Sequence, residues 1–469
     1  MSDPTTPFVE RAHRALNDPF LQEALDRATT RFMTLRRESF ATLPQADALK
    51  ERARQIKEAT LQKLDFYLEQ LADSVERSGG HVHWAATAGE AREIVLRLAR
   101  ERGVKLAVKS KSMATEEIEL NEALERAGIT PVETDLGEYI IQLAHEKPSH
   151  IIAPAIHKTK GQVAELFSRE LKRELAADPE VLTKVARGEL RDKFLKADMG
   201  ITGANFAIAD TGTIVLITNE GNGRLVTTMP RIHVALMGME KVIPSMTDLM
   251  VFLSLLPRSA TGQKISSYVT LVRGPRKPGE LDGADEFHLI LMDNGRSRQL
   301  AGTLRESLYC LRCGACLNVC PVYRQIGGHA YGYTYSGPIG ILLTAMLHGT
   351  HAVKDLAHAS SLCGACQEAC PVKINIPRML VELREHLDRE RIAPLAERVI
   401  FKAFARVLTV PGLYRLSARL GRLVQRPFLW AGRIRSLPAF FGGWTDHRDL
   451  PAVAARPFRE WWADGRTGR

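Results

Sequence analysis

Seven cysteines fall between positions 310 and 370, and none occurs elsewhere in the 469 residues. The first group reads Cys310-Leu-Arg-Cys313-Gly-Ala-Cys316-Leu-Asn-Val-Cys320-Pro321, the second Cys363-Gly-Ala-Cys366-Gln-Glu-Ala-Cys370-Pro371. The first is the C-x2-C-x2-C-x3-C-P run of bacterial two-cluster ferredoxins, in which the fourth cysteine ligates the other cluster. Three thiolates two residues apart on a curled loop face one cuboidal cluster, and small residues such as Gly314 and Ala315 let the backbone approach it. The crossed assignment is then Cys310, Cys313, Cys316 and Cys370 for one cluster, and Cys320, Cys363 and Cys366 for the other. Zinc is the alternative for paired C-x2-C groups. Seven cysteines do not divide into four-thiolate sites, however, and zinc needs neither the three-residue step nor the proline after it twice. Two iron-sulfur clusters that pass electrons are expected.

By the spacing of the first run a cysteine belongs at position 360, where the chain reads Ala359-Ser360-Ser361-Leu362-Cys363. Both clusters are expected to be [4Fe-4S]. The second, with three thiolates, is alternatively [3Fe-4S], or is completed by Ser360, His358, solvent or a substrate, and such a ligand would alter its potential. The stretch between Cys320 and Cys363 is too long for a compact ferredoxin. It is apolar and helix-prone at Pro338 to Leu347, and Ile376 to Glu390 is amphipathic. An all-α helical ferredoxin domain is predicted over 296–390.

Residues 8–78 are charged and helix-periodic, and the run Ala46 to Arg77 stops at Gly79-Gly80. This predicts a helical N-terminal arm or lid over 1–80. From His81 short apolar runs alternate with amphipathic helices: HVHWAA, EAREIVLRLARERG, VKLAVKS, EEIELNEALERAG, PVETD, a helix to His145, then HIIAPA. After a helical stretch from Val163 to Lys196 come the strands ANFAIAD, TIVLITN, RIHVALMGM, YVTLV and EFHLILMD, the first two joined by the hairpin turn Asp210-Thr-Gly212. One α/β domain over 81–295, a parallel sheet with antiparallel additions, is expected.

Two polar segments follow apolar strands in that domain. Thr218-Asn-Glu220-Gly-Asn-Gly223-Arg224 is a Gly-rich turn where ligands of open α/β sheets bind, or a plain strand-ending turn. Lys109-Ser-Lys111-Ser112 opens a helix and either holds an anion or caps that helix through Ser112. Neither is a P-loop or a dinucleotide fingerprint, so flavin and nicotinamide have no support.

From Arg391 to Arg469 there are 15 Lys+Arg against 5 Asp+Glu; chain totals of 64 and 54 leave 49 of each elsewhere, so this tail holds the whole net charge of +10. Fourteen of the 15 are Arg, which suits pairing with carboxylates or phosphates. Leu413, Leu416, Leu420 and Leu423 beside Arg415, Arg419 and Arg422 describe an amphipathic helix for a membrane surface or a partner subunit. Trp444, Phe458, Trp461 and Trp462 likewise suit docking. An Arg-rich helical docking tail is expected over 391–469. The chain opens without a secretory signal and has no apolar stretch near the ~20 residues of a spanning helix. It is expected to be cytoplasmic, with peripheral attachment to the inner face of a membrane as an option. No nucleic-acid partner is expected.

VKSKSMATEEIELNEAL, GITGANFAIADTGTIVLITNEGNGRL, RIHVALMGMEK, the cysteine runs with GGHAYGYTYSGPIG between them, and the RDLP and FREWW segments resemble the lactate utilization protein B family nearly end to end. The resemblance implies an iron-sulfur subunit of a bacterial L-lactate oxidation system. It implies that residues 81–295 share a lactate-utilization domain related to the sugar-isomerase and coenzyme-A-transferase folds. A second cysteine-rich subunit and a small one are the implied partners. A Ser-Leu-Cys at the second run is usual in the family, so Ser360 departs from the ferredoxin pattern only. The expected function is electron transfer from lactate, as it becomes pyruvate, towards an acceptor such as quinone, in a subunit rather than a stand-alone enzyme. The competing readings are a transferase or hydrolase with Glu220 as nucleophile and structural clusters, and a redox-sensing scaffold.

Overall fold

In the computed structural model, residues 6–393, 395–438, 442, 445 and 448–463 are described. Ten strands lie between His81 and Met292: β1 His81–Ala85, β2 Leu106–Lys109, β3 Thr130–Glu133, β4 Met199–Thr202, β5 Phe206–Ile208, β6 Thr213–Thr218, β7 Ile232–Gly238, β8 Val242–Ile243, β9 Tyr268–Val272 and β10 Glu286–Met292. Eight of them are expected apolar runs; β4 and β8 are short strands that the sequence did not single out. Six pair in parallel in the order β1-β10-β7-β4-β2-β3. Every residue of β7 is buried, as a central parallel strand covered on both faces requires. Neighbouring strands β2 and β4 lead off in opposite directions, β2 to β3 at the edge and β4 towards β7. The crevice beyond their carboxyl ends is therefore the place where such a sheet binds ligands.

A second sheet, β8-β5-β6-β9, is mixed. Its β5–β6 hairpin turns at Gly212, whose φ of +69° favours glycine and whose missing Cβ would stand 2.6 Å from the backbone of Ser74. HIIAPA does not form a strand. Nδ1 of His150 accepts the N–H groups of Ile152 and Ala153 at 3.0 and 3.1 Å, which folds the segment into a loop before Pro154. The stretch from Val163 to Lys196 is two helices, Lys160–Leu171 and Pro179–Lys196; the second is capped by Asp178 and starts on Pro179.

The N-terminal segment forms four helices, α1 Phe8–Leu16, α2 Pro19–Ala41, α3 Ala46–Gln62 and α4 Leu64–Arg77. The run from Ala46 to Arg77 is thus interrupted at Lys63. These helices are a packed wall. Arg11 donates to the carbonyl of Ala330 at 2.9 Å, Arg36 to that of Ala369 at 2.8 Å and Arg54 to that of Lys373 at 3.0 Å, all in the cysteine-bearing region. Arg258, at the end of the helix Met246–Ala260, donates to Ser39 Oγ at 2.9 Å. Residues 1–390 accordingly form one compact unit.

Arg391–Arg469 is a separate unit. Its helices Leu395–Thr409 and Pro411–Val424 pack on each other, beside a small antiparallel sheet of Leu429–Trp430, Arg433–Ile434 and Leu450–Pro451. Leu413, Leu416, Leu420 and Leu423 are exposed, and Phe458 meets the rings of Trp461 and Trp462. Trp444 lies outside the described residues. Among those residues no helix is long and apolar enough to cross a membrane.

Two buried histidines, His233 and His288, and the half-buried His83 lie in the large sheet. Burial lowers the His233 imidazole from 6.5 to about 3 and that of His288 to about 4, and lowers His83 as well. Between those values and 6.5 the unfolded chain binds more protons, so this contribution to stability is complete above pH 6.5 and is lost as pH falls towards 3. For the fully buried His233 the slope is about 1.4 kcal/mol per pH unit. Urea midpoints measured from pH 7 down to pH 5 are expected to fall, and His233→Gln is expected to flatten that fall.

Candidate metal centre and adjoining cavity

The two cysteine runs adopt one backbone conformation. In Arg312-Cys313-Gly314 and in Leu362-Cys363-Gly364 the flanking residues have positive φ, +60° and +74° in the first and +53° and +87° in the second. A short helix follows each, Ala315–Asn318 and Ala365–Ala369, and the two helices pack together. This curl turns N–H groups to sulfur: Arg312 donates to Cys310 Sγ at 3.4 Å, Ala315 to Cys313 and Ala365 to Cys363. The correspondence extends to the missing cysteine. Leu362 N–H donates to Ser360 Oγ at 3.2 Å, as Arg312 N–H does to Cys310 Sγ, so Ser360 occupies the place of Cys310 in the second copy.

The thiols gather by neighbourhood. Cys310, Cys313, Cys316 and Cys370 line one small cavity, closed by Ile151, Ile339, Val372, Ile374 and Ile376. Cys320 neighbours Cys363, and Cys366 neighbours Cys320 and Cys363, while Cys316 lies between the groups, near Cys366 as well as Cys310, Cys313 and Cys370. Burial pushes the Cys313 and Cys366 thiols up to about 11 and Cys370 up to about 12, so binding a metal here must displace protons. Cys363 is exposed, and its thiol is lowered by the Ala365 N–H and by Ser361. The Tyr331 hydroxyl, fully buried beside Cys316 and Cys320, has no hydrogen-bond partner among the described residues. A donor held in that position fits sulfur acceptors that a cluster brings. The residues present therefore fit iron-sulfur clusters.

Against the wall of the four-thiol cavity lies a larger one of about 660 Å³, which shares Ile151, Leu311 and Arg312 with it. Its lining includes Ser110 and Lys111 after β2, Gly203 to Asn205 after β4 and Glu240 and Lys241 after β7, the carboxyl ends that the topology singles out. A buried ionic network joins the two cavities. Arg296 pairs with both oxygens of Glu117 at 2.9 Å and with Glu240 at 2.5 Å. Glu240 also accepts from Arg312 at 3.2 Å, its backbone carbonyl accepts from Lys57, and Tyr335 donates to Glu117 at 3.0 Å under the Arg312 guanidinium. Burial lowers Lys57 to about 7 and, with Arg312, lowers Lys241 to about 8.

Comparison with known proteins gives three family matches: "LUD domain" over residues 68–292, "4Fe-4S dicluster domain" over 306–374, and "Lactate utilisation protein B, C-terminal" over 384–466. Lactate utilization protein B of Bacillus licheniformis is 46% identical over 464 residues, covering 98% of this chain and 97% of its own. Those of Bacillus subtilis and Geobacillus kaustophilus are also 46% identical, covering 99% and 98% of this chain and 97% and 98% of their own. The chain belongs to the lactate utilization protein B family. A solved DUF162 family protein from Deinococcus radiodurans aligns at 12% identity with a TM-score of 0.27, over 49% of this chain and 98% of that one, and carries no weight. As a member of that family, the chain has a role in lactate utilization and carries an iron-sulfur domain.

The structure brings the seven cysteines together and distributes the other segments. Glu220 stands exposed at the rim of the large cavity, its carboxylate accepting from Leu136 N–H at 3.2 Å. Ser112 caps the helix Met113–Glu117, and Lys111 Nζ donates to the Ile152 carbonyl at 2.6 Å. Lys109 is paired with Glu133 at 2.5 Å. Sequence reasoning passed over Arg312, Glu240, Lys241 and Arg296. Arg312 was in view as a spacer of the first run and Glu240-Lys241 as the end of RIHVALMGMEK, but a spacer shows no partner until the chain folds.

Arg36 adjoins Cys313 and Cys370. A positive charge favours the more negative reduced state of a cluster, so Arg36→Gln is expected to make the potential of the four-cysteine site more negative while sparing the other. Redox titration followed by electron paramagnetic resonance (EPR) reads both.

Proposed function

We propose that the chain is the electron-transfer subunit of a complex that oxidises L-lactate to pyruvate, with Cys310, Cys313, Cys316 and Cys370 holding one cluster and Cys320, Cys363 and Cys366 the other. The observation that carries it is the partition of the thiols into a buried four-thiol pocket and a group that reaches the surface at Cys363. Bound there, the clusters supply one-electron redox centres, and lactate releases two electrons and two protons on becoming pyruvate. The apolar wall of Ile151, Ile339 and Ile374 excludes water from the first group, while Cys363 and Ser361 open the second to a docking acceptor. The repeat supports Ser360 as the fourth ligand of the second site. A second cysteine-rich subunit, a small subunit and a quinone-linked acceptor complete the reading, with the Arg-rich unit as the docking part of a cytoplasmic, peripherally attached protein.

Low-temperature EPR with iron counting on anaerobically purified protein tests this. Eight irons are expected, with both clusters reduced by lactate once the partner subunits are added. Absence of iron, or clusters that lactate and the partners never reduce, would sink the reading. Cys363→Ala is expected to abolish one signal and Cys313→Ala the other; loss of both in either variant, with the fold intact, speaks against independent sites. Ser360→Ala is expected to leave seven irons and a three-iron signal, and an unchanged count removes Ser360 as ligand.

A further inference from the structure

The large cavity contains cationic groups that the protein leaves unanswered. Nη1 of Arg312 is buried without a hydrogen-bond partner among the described residues, while Nη2 is engaged by Glu240 at 3.2 Å. Lys241 lines the same cavity and makes no hydrogen bond or ion pair among the described residues. Around this point four basic side chains, Lys57, Lys241, Arg296 and Arg312, meet two carboxylates, Glu117 and Glu240, and even with Lys57 near half charge the cations outnumber the carboxylates. Cys310 adjoins Lys57, Lys241 and Arg312, so a thiolate there answers part of the excess. It leaves Arg312 Nη1 with nothing to donate to, and a buried donor of that kind is costly unless an acceptor arrives.

The rest of the lining narrows what arrives. Oδ1 of Asn222 is also buried, unpartnered and on the cavity wall, an acceptor for a hydroxyl. Leu216, Leu236 and Ile140 supply apolar surface. The free Nη1 of a guanidinium next to an ammonium suits a carboxylate, which accepts charge-assisted hydrogen bonds from both, and the site lies where a parallel sheet with this strand order binds ligands.

We infer that this cavity binds a small organic carboxylate of the 2-hydroxy or 2-oxo acid class, its carboxylate on Arg312 and Lys241. The anion site rests on the cavity itself; the choice of acid rests on the lactate-oxidation reading above. Because Arg312 immediately precedes Cys313, the acid is held at the wall of the four-thiol pocket. This chain is then where the substrate meets the electron carrier.

The test is calorimetric titration of L-lactate and of pyruvate into the full chain with its clusters intact, without oxygen. Binding by the wild-type protein is expected, weakened at least tenfold in Arg312→Gln and in Lys241→Gln. No binding by the wild-type protein, or equal affinity in both variants with full iron content, overturns the site. Should Arg312→Gln lose iron, Lys241→Gln, on a separate loop, decides alone. Clusters that lactate reduces in the assembled complex, in a chain that binds neither acid, would overturn this site and leave the electron-transfer reading standing.

Discussion

Arg296, after β10, reaches Glu117 from the helix after β2 and Glu240 from the loop after β7, and Glu240 in turn holds Arg312 between Cys310 and Cys313. All four side chains are buried. Such a network is a poor source of net stability, because desolvating four charges costs about what their attraction returns, but breaking it leaves a charge without a partner at a cost of ~3–5 kcal/mol. Its effect is registry: the cysteine loop is seated against the sheet in one position. Gly238 shows how tight that seat is, since a Cβ there would stand 2.1 Å from Glu240 Oε2 and 2.3 Å from Arg296 Nε.

The same dependence runs through uncharged contacts. His150 takes two backbone N–H groups on Nδ1 and faces Asn318 Oδ1 through Nε2 at 3.1 Å, which ties the loop before Pro154 to the helix that carries Cys316. Tyr323 donates to the Ser149 carbonyl at 2.8 Å, and Gly328 approaches that carbonyl so closely that a Cβ would stand 1.7 Å from it. The cysteine region is thus built onto the α/β domain and walled by the N-terminal helices. The two thiol groups inherit different surroundings from this, one sealed by isoleucines beside a cavity, the other opening at Cys363.

Much of this was legible beforehand, and unevenly. Five of the six strands of the large sheet, the hairpin at Gly212 and the two cysteine runs follow from short apolar runs, a turn glycine and ligand spacing, all properties of a few neighbouring residues; β4, only four residues long, was missed after the helical stretch. HIIAPA misled because apolar content alone does not distinguish a strand from a loop that a histidine ring holds folded. The helix break at Lys63 has no proline or glycine to mark it. The N-terminal helices read as an arm or lid because their partners, Ala330, Ala369 and Lys373, lie roughly 300 residues away along the chain.

By itself, then, the amino-acid sequence determined the ligand chemistry, most of the strands and helices in their order and the vacancy at position 360, since each depends on local spacing. Only the tertiary structure decided that Ser360 Oγ accepts the Leu362 N–H as Cys310 Sγ accepts that of Arg312, and that Arg312 is a wall of two cavities. It also decided that four basic side chains gather around two carboxylates. Those outcomes depend on desolvation and pairing among groups distant in the chain, and these have no value until the backbone has brought them together.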